Sequence, residues 1–242
     1  MSLFQKNPFP VWGDIERCWL LAYRTPAGSA RAMLPAPLHL ITHGGFAFFN
    51  VVVGRLRAMR PAGLPRWCGV DYWHVAYRFY VRAALADGSS MDGIYFIHSD
   101  CDSRLLTVLG NPLTHFRFHM ARVQVSEDDR LVRGSVSAPG VPAEFVLRRD
   151  TPPALAPGSP FSTLTEAAAF LKYQPIGLAP AGARAVNAII IRRDERAWNT
   201  RLIGVESARW NFLAGHETAL ECAWEVEPIA YRWNRARIFH TS

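Results

Sequence analysis

Lysine is almost missing from this chain of 242 residues. Lys6 and Lys172 are the only two, and arginine supplies the rest of the 27 basic residues. Chemistry that needs a neutral, nucleophilic amine therefore has two places to occur, because a guanidinium stays protonated at neutral pH and is no substitute. Cysteine is also scarce. Cys18, Cys68, Cys101 and Cys222 are scattered and form no C-x-x-C pair. That argues against a disulfide framework and a four-cysteine zinc site, and fits reduced thiols. No eighteen-residue apolar run is free of charge, so no membrane-spanning helix is expected. Met1 to Pro8 lacks the basic start and apolar stretch of a secretory leader, so the expected location is cytoplasmic. Internal repeats and low-complexity tracts are missing too.

What charge there is has one sign in excess: the net charge is +7. The arginines are spread out, with doublets only at Arg148-Arg149 and Arg192-Arg193. Without a focused basic stripe or a recognisable module, nucleic acid is not the expected partner. Half of the residues are hydrophobic, enough for a sizeable core.

The dominant period is two. From Trp73 to Arg82, one face carries Trp73, Val75, Tyr77, Phe79 and Val81, and the other His74, Ala76, Arg78, Tyr80 and Arg82. That alternation predicts a strand. Phe46 to Leu56 is apolar on both faces and reads as a strand covered on both sides. Gly93 to His98 and Phe116 to Val125 are further strands. Met120–Val125 and Leu131–Val136 flank a polar tip and predict a hairpin. Glu144 to Leu147, Arg184 to Ile191, Ala219 to Val226 and Ile229 to Ile238 complete the set.

Three short helices are expected. One starts at Thr25-Pro26 and stops at Pro35, and one is capped by Asp100 or Asp102 and carries Leu105, Leu106, Val108 and Leu109. The third opens on the capping box Thr163-Leu164-Thr165-Glu166 and ends before Pro175. The expected class is mainly β with a few short helices (α+β), its sheet closed or nearly so to leave no edges. Residues 150–160 hold Pro152, Pro153, Pro157 and Pro160 and form a stiff connection. The strands beyond it alternate too little with helix to build a second core. One domain over 1–242, with 150–160 as an internal loop, is expected.

Four stretches carry a family resemblance: Arg31-Ala32-Met33-Leu34-Pro35-Ala36-Pro37-Leu38; Tyr77-Arg78-Phe79-Tyr80-Val81; Gly93-Ile94-Tyr95-Phe96 followed by Asp100; and Phe118-His119-Met120-Ala121-Arg122-Val123. In order and spacing, over roughly Trp12 to Phe239, the chain resembles the YqjF-like branch of the acetoacetate decarboxylase-like superfamily. The resemblance implies a β-barrel with an internal cavity, in a superfamily that decarboxylates or condenses keto acids through a lysine Schiff base. The superfamily's lysine stands in a Pro-Lys-Lys run on the strand matched to 117–121. Here the stretch reads Phe116-Arg117-Phe118-His119-Met120-Ala121, without lysine. Lys6 falls in the N-terminal tail, and Lys172 falls near a helix end, where a solvated cation suits the dipole. Schiff-base catalysis is not expected.

Arg78 is the candidate ligand clamp, with Tyr80 and His74 on its face, because a guanidinium grips a carboxylate with two parallel hydrogen bonds. The competing reading is a solvent-facing arginine, or one paired with an acid such as Asp71 or Asp100. His115, Arg117 and His119 alternate. The two imidazoles would stand about 13 Å apart on a strand, too far to share an ion. Arg117 joins the ligand-binding candidates, and His119 and His98 are the candidate acid/base groups. His98 shares a face with Asp100, which could orient it or instead cap the next helix. Neither metal nor other cofactor is expected. The eight tryptophans suit a pocket wall and a core equally well.

The expected partner is thus a small organic acid or keto compound bound in a barrel pocket. If the protein is an enzyme, the chemistry is lyase-like acid/base chemistry with an arginine clamp. A non-catalytic binding or sensing protein on the same scaffold is the alternative, and a basic protein contacting nucleic acid or an acidic partner is a third. Association with further copies of the chain stays open.

Overall fold

A computed structural model describes residues 6–140, 142–172, 174–194 and 196–242. Strand β1 (Val11–Pro26) passes through α1 (Ala27–Arg31) and the short β2 (Leu38–Leu40) and β3 (Thr42–His43). Three long strands follow: β4 (Phe46–Pro61), β5 (Val70–Ala84) and β6 (Ser90–Cys101). A helical stretch with a π-helical middle (Leu106–Gly110) ends in α2 (Asn111–Leu113) and leads to β7 (Phe118–Met120). Next come β8 (Arg122–Glu127), β9 (Leu131–Ser137), β10 (Ala143–Arg148) and α3 (Leu164–Phe170). The chain ends on β11 (Ile176–Gly182), β12 (Ala185–Arg192), β13 (Thr200–Leu202), β14 (Gly204–Trp210), β15 (Ala219–Val226), β16 (Ile229–Trp233) and β17 (Arg237–His240). No described helix is long and apolar enough to cross a membrane.

The larger sheet returns on itself. From β1 the pairings run through β16, β12, β11, β6, β5 and β4 and back to β1. The seam is the parallel contact of β11 with β6 at Gly177 and Ile94. Gly93 stands beside it because a Cβ there would lie 2.4 Å from the Ile176 carbonyl oxygen.

The period-two pattern sorts side chains to the two faces of this ring. Leu20, Ala22, Phe48, Ala76, Tyr80, Ile94 and Phe96 pack inside it. Trp19, Leu21, Phe49, Val51, Val53, Val75, Tyr77 and Phe79 pack outside. There the second sheet, β14-β10-β9-β8, covers them with Val132, Val136, Phe145, Leu147 and Trp210. Strands buried on both faces lose the polar alternation, which explains the doubly apolar β4.

Several expected boundaries move. The 116–125 stretch is two strands in different sheets, β7 in the larger sheet beside β6 and β8 in the outer sheet, with Arg117 in a left-handed conformation (φ 56°) just before β7. The 229–238 stretch breaks after Trp233 into β16 and β17. Neither aspartate caps the second helix. Asp102 accepts from Trp73 N at 2.8 Å, Asp100 turns to His98, and Ser103 Oγ meets Leu106 N. Thr25 lies in β1, and α1 begins after Pro26 without a side-chain cap. The Thr163 cap forms as read, accepting from Glu166 N at 3.1 Å.

Candidate functional site

The inner face of β5 places His74, Ala76, Arg78 and Tyr80 inside the ring. Arg78 is 3% exposed, and its Nε donates to Asn50 Oδ1 on β4 at 2.8 Å. With His74, Cys18, Trp198, Tyr231 and Trp233 it lines an internal cavity of about 40 Å³. The Arg78 charge is felt by its neighbours. Burial pushes the Cys18 thiol up to about 12, and Arg78 and Arg193 pull it back. Burial and then the Arg78 charge lower His74 to about 3, so its ring is neutral. Two polar atoms of this wall, His74 Nε2 and Trp233 Nε1, are buried without a hydrogen-bond partner. Such atoms cost free energy unless something pairs with them. Tyr80 shares the face, but its hydroxyl donates to Leu171 O at 2.6 Å instead of lining the cavity. Asp71 pairs with Arg57, and Asp100 with His98.

Trp233 also walls a second, apolar cavity of about 220 Å³ at the ring's end, bounded by Val11, Met59, Tyr72, Leu106 and Phe118. Trp198 and Trp233 are two of the tryptophans that suit a pocket wall or a core alike, whereas Asn50 carries no signal in the sequence and Tyr231 only its alternation with Trp233 in a predicted strand.

His98 and His119 do not share the Arg78 cavity. The β5–β6 register slips after Tyr77, leaving Ile97 unpaired, so Phe96 faces in beside Arg78 while His98 faces out beside Tyr77. This is a β-bulge, and it reverses which face the later residues use. Outside, His98 Nε2 meets Asp100 Oδ1 at 2.9 Å, and its ring stacks on His119 with centroids 4.2 Å apart. His119, Arg117, His115, Asn111 and Lys6 line one cleft on this side. The expected regular strand from His115 to His119 does not form, since β7 begins at Phe118. Arg117 donates to the Tyr95 hydroxyl at 2.5 Å. Lys6, expected in a tail, donates to Asn111 O in this cleft, whereas Lys172 is exposed beyond α3. Neither lysine lines the Arg78 cavity.

Buried His74 and half-buried His115 set a pH dependence. His74 at about 3 and His115 at about 4, the latter lowered by burial and then by Lys6 and Arg117, stay neutral when folded. In the unfolded chain each takes a proton below about pH 6.5. The unfolded state then binds more protons, so stability falls as pH drops from about 6.5 towards 4, by up to about 1.4 kcal/mol per pH unit for each histidine. Glu127 and Glu225, which burial pushes up but their arginines together pull below the ordinary value, act in the same direction only nearer the usual carboxylate range. Urea midpoints between pH 7.5 and 5 should therefore show this slope, and His74→Phe should flatten it. An unchanged slope would mean that His74 titrates normally.

This ring of antiparallel strands with one parallel seam, backed by a small sheet, shares its fold with acetoacetate decarboxylase-like proteins. An acetoacetate decarboxylase-like enzyme from Sphingomonas wittichii RW1 superposes with a TM-score of 0.62 at 13% identity, covering 98% of this chain and 95% of that one. The acetoacetate decarboxylase of Legionella pneumophila gives 0.58 at 12%, covering 96% and 86%. The enduracididine biosynthesis enzyme MppR, complexed with the condensation product of pyruvate and imidazole 4-carboxaldehyde, gives 0.61 at 12%, covering 96% and 89%. Among curated proteins none matches the sequence. Residues 14–226 match the family DUF2071, described as an uncharacterized conserved protein, and the chain belongs to that family.

Proposed function

We propose that this protein binds a small organic acid or keto acid inside the ring, with Arg78 as the anion anchor. The observation that carries the reading is the cavity wall itself. A buried guanidinium stands with two orphaned polar atoms, His74 Nε2 and Trp233 Nε1, around one small space. At roughly 10–15 Å³ per water, about 40 Å³ holds about three waters, the bulk of a very small acid. A longer apolar tail would extend past Trp233 into the cavity at the ring's end. The neighbour holding a pyruvate-derived product supports a keto acid in this fold. The finer likeness to the YqjF-like branch rests on the four sequence stretches that carry it.

No lysine reaches the bound acid, so the proposed chemistry is non-covalent. His98 and His119, on the outer face, are out of reach of a ligand held by Arg78. Within the cavity the neutral His74 ring is the imidazole placed to hydrogen-bond it. Calorimetry and tryptophan fluorescence with acetate, pyruvate and acetoacetate, each against its neutral amide or ester, test the reading. The acids should bind and quench Trp198 or Trp233 while the neutral analogues do not. Equal binding of both kinds, or binding of none, would reject it.

A further inference from the structure

The outer cleft presents a second set of polar groups that a ligand on Arg78 does not touch. The bulge at Ile97 turns His98 and Asp100 to the outer face of β6, two residues apart on one strand. Parallel pairing of β7 then sets His119 directly opposite Asp100. The donor atoms of these three side chains all lie within 4.8 Å of one another. Ligands about 2.0–2.1 Å from a tetrahedral dication stand about 3.3–3.4 Å apart, by simple geometry from those bond lengths. His98 Nε2 and Asp100 Oδ1, hydrogen-bonded at 2.9 Å, need part only slightly to admit an ion between them. His119 is the member that must close in, and it is exposed enough to turn.

Two further features point to a cation. Asp100 is fully buried, and its Oδ2 has no hydrogen-bond partner. An unpaired carboxylate oxygen out of water is costly, and a bound cation offsets that cost. His119 Nδ1 lies 3.3 Å from the Ser99 carbonyl oxygen. An N–H donated there leaves Nε2 as the lone-pair nitrogen, the usual support for a metal-ligating imidazole.

We infer that His98, Asp100 and His119 form a site for one divalent first-row transition ion, zinc foremost. Two imidazoles and one carboxylate suit such an ion, whereas calcium and magnesium call for oxygen ligands. Three protein ligands leave one position open towards the cleft. Lys6, His115 and Arg117 line that cleft. These cationic and imidazole groups oppose a bare dication, so the ion should keep an anionic fourth ligand such as hydroxide or a carboxylate.

The test uses the full chain, freed of metal by chelator and then of chelator. Titration with Zn²⁺ by calorimetry, and with Co²⁺ by visible absorption, should give one equivalent and an absorption band of low-coordinate cobalt. Ca²⁺ should not bind. Because His98 and Asp100 are buried, the exposed His119→Ala is the deciding variant. It should weaken Zn²⁺ at least about tenfold, the loss that follows even from removing a ligand's supporting partner. The exposed His216→Ala should bind as the parent does. Zinc should raise the melting temperature of the parent by mass action, and that of His119→Ala far less. Arg78→Ala should leave zinc binding intact, which separates this site from the organic-acid site. Absence of stoichiometric binding, or binding unchanged in His119→Ala, would overturn the assignment.

Discussion

Arg78→Ala is expected to weaken the binding of a small carboxylate by more than tenfold. Arg78 stands on the inner face of β5 at 3% exposure, its Nε held by Asn50, so its fork is fixed before any ligand arrives. A pre-set planar fork loses little freedom on gripping a carboxylate. Removing one partner of a buried charged hydrogen bond costs about 2–5 kcal/mol. Each decade of affinity is about 1.4 kcal/mol, so the loss spans one to three decades or slightly more. Arg78→Lys should recover part of it, because an ammonium supplies charge without the fork. Arg148→Ala is the control, since Arg148 lies at the surface with Asp150 and Glu206 and should change binding little. The comparison is made on variants whose circular dichroism and melting match the parent. If Arg78→Ala binds a carboxylate as well as the parent does, the cavity is a packing feature and not a ligand site.

The position of Arg78 could be read before the fold was seen, because the strict alternation from Trp73 to Arg82 assigns it the face of His74 and Tyr80. That of His98 could not. A bulge leaves no mark on the hydrophobic pattern until the partner strand is known, and the slip after Tyr77 is what carries His98 and Asp100 outside. The wide spacing expected of His115 and His119 requires one regular strand, and β7 begins only at Phe118. The set His98, Asp100 and His119 depends on a parallel pairing of β6 with β7, which no local spacing announces.

Of the two longest strands, β1 and β4, β1 was the less legible. In β1 the run Cys18-Trp19-Leu20-Leu21-Ala22-Tyr23 is buried throughout, and a continuous apolar run does not separate strand from helix. Its neighbours on both edges, β4 and the β15–β16 pair, remove the alternation that would have declared it. The tryptophans divide only in three dimensions. Trp198 and Trp233 line the cavity, while Trp19, Trp73 and Trp210 pack between the sheets.

Glu221→Ala should cost about 3–5 kcal/mol of folding stability, the usual penalty for leaving one member of a buried ion pair alone. Glu221 on β15 is 2% exposed, and Arg24 on β1 is 8% exposed. One guanidinium nitrogen of Arg24 donates to Glu221 Oε1, and the other donates to Pro157 O at 2.8 Å. Ser159 Oγ donates to Glu221 Oε2 at 2.7 Å, and the Arg24 guanidinium also lies over the Phe46 ring at 5.4 Å. The pair therefore ties the proline-rich 150–160 stretch to adjoining strands of the larger sheet. Removing the carboxylate strands the guanidinium in a dry site and releases Ser159. Urea denaturation of Glu221→Ala, Arg24→Met and the double variant Arg24→Met/Glu221→Leu measures the effect. The double variant should lose less than the sum of the singles, because it buries no lone charge. Thermolysin should cut near Leu155 faster in Glu221→Ala than in the parent, as the tie is lost. A loss below about 1 kcal/mol would place the pair with ordinary surface bridges and leave the 150–160 stretch to be held by its prolines alone.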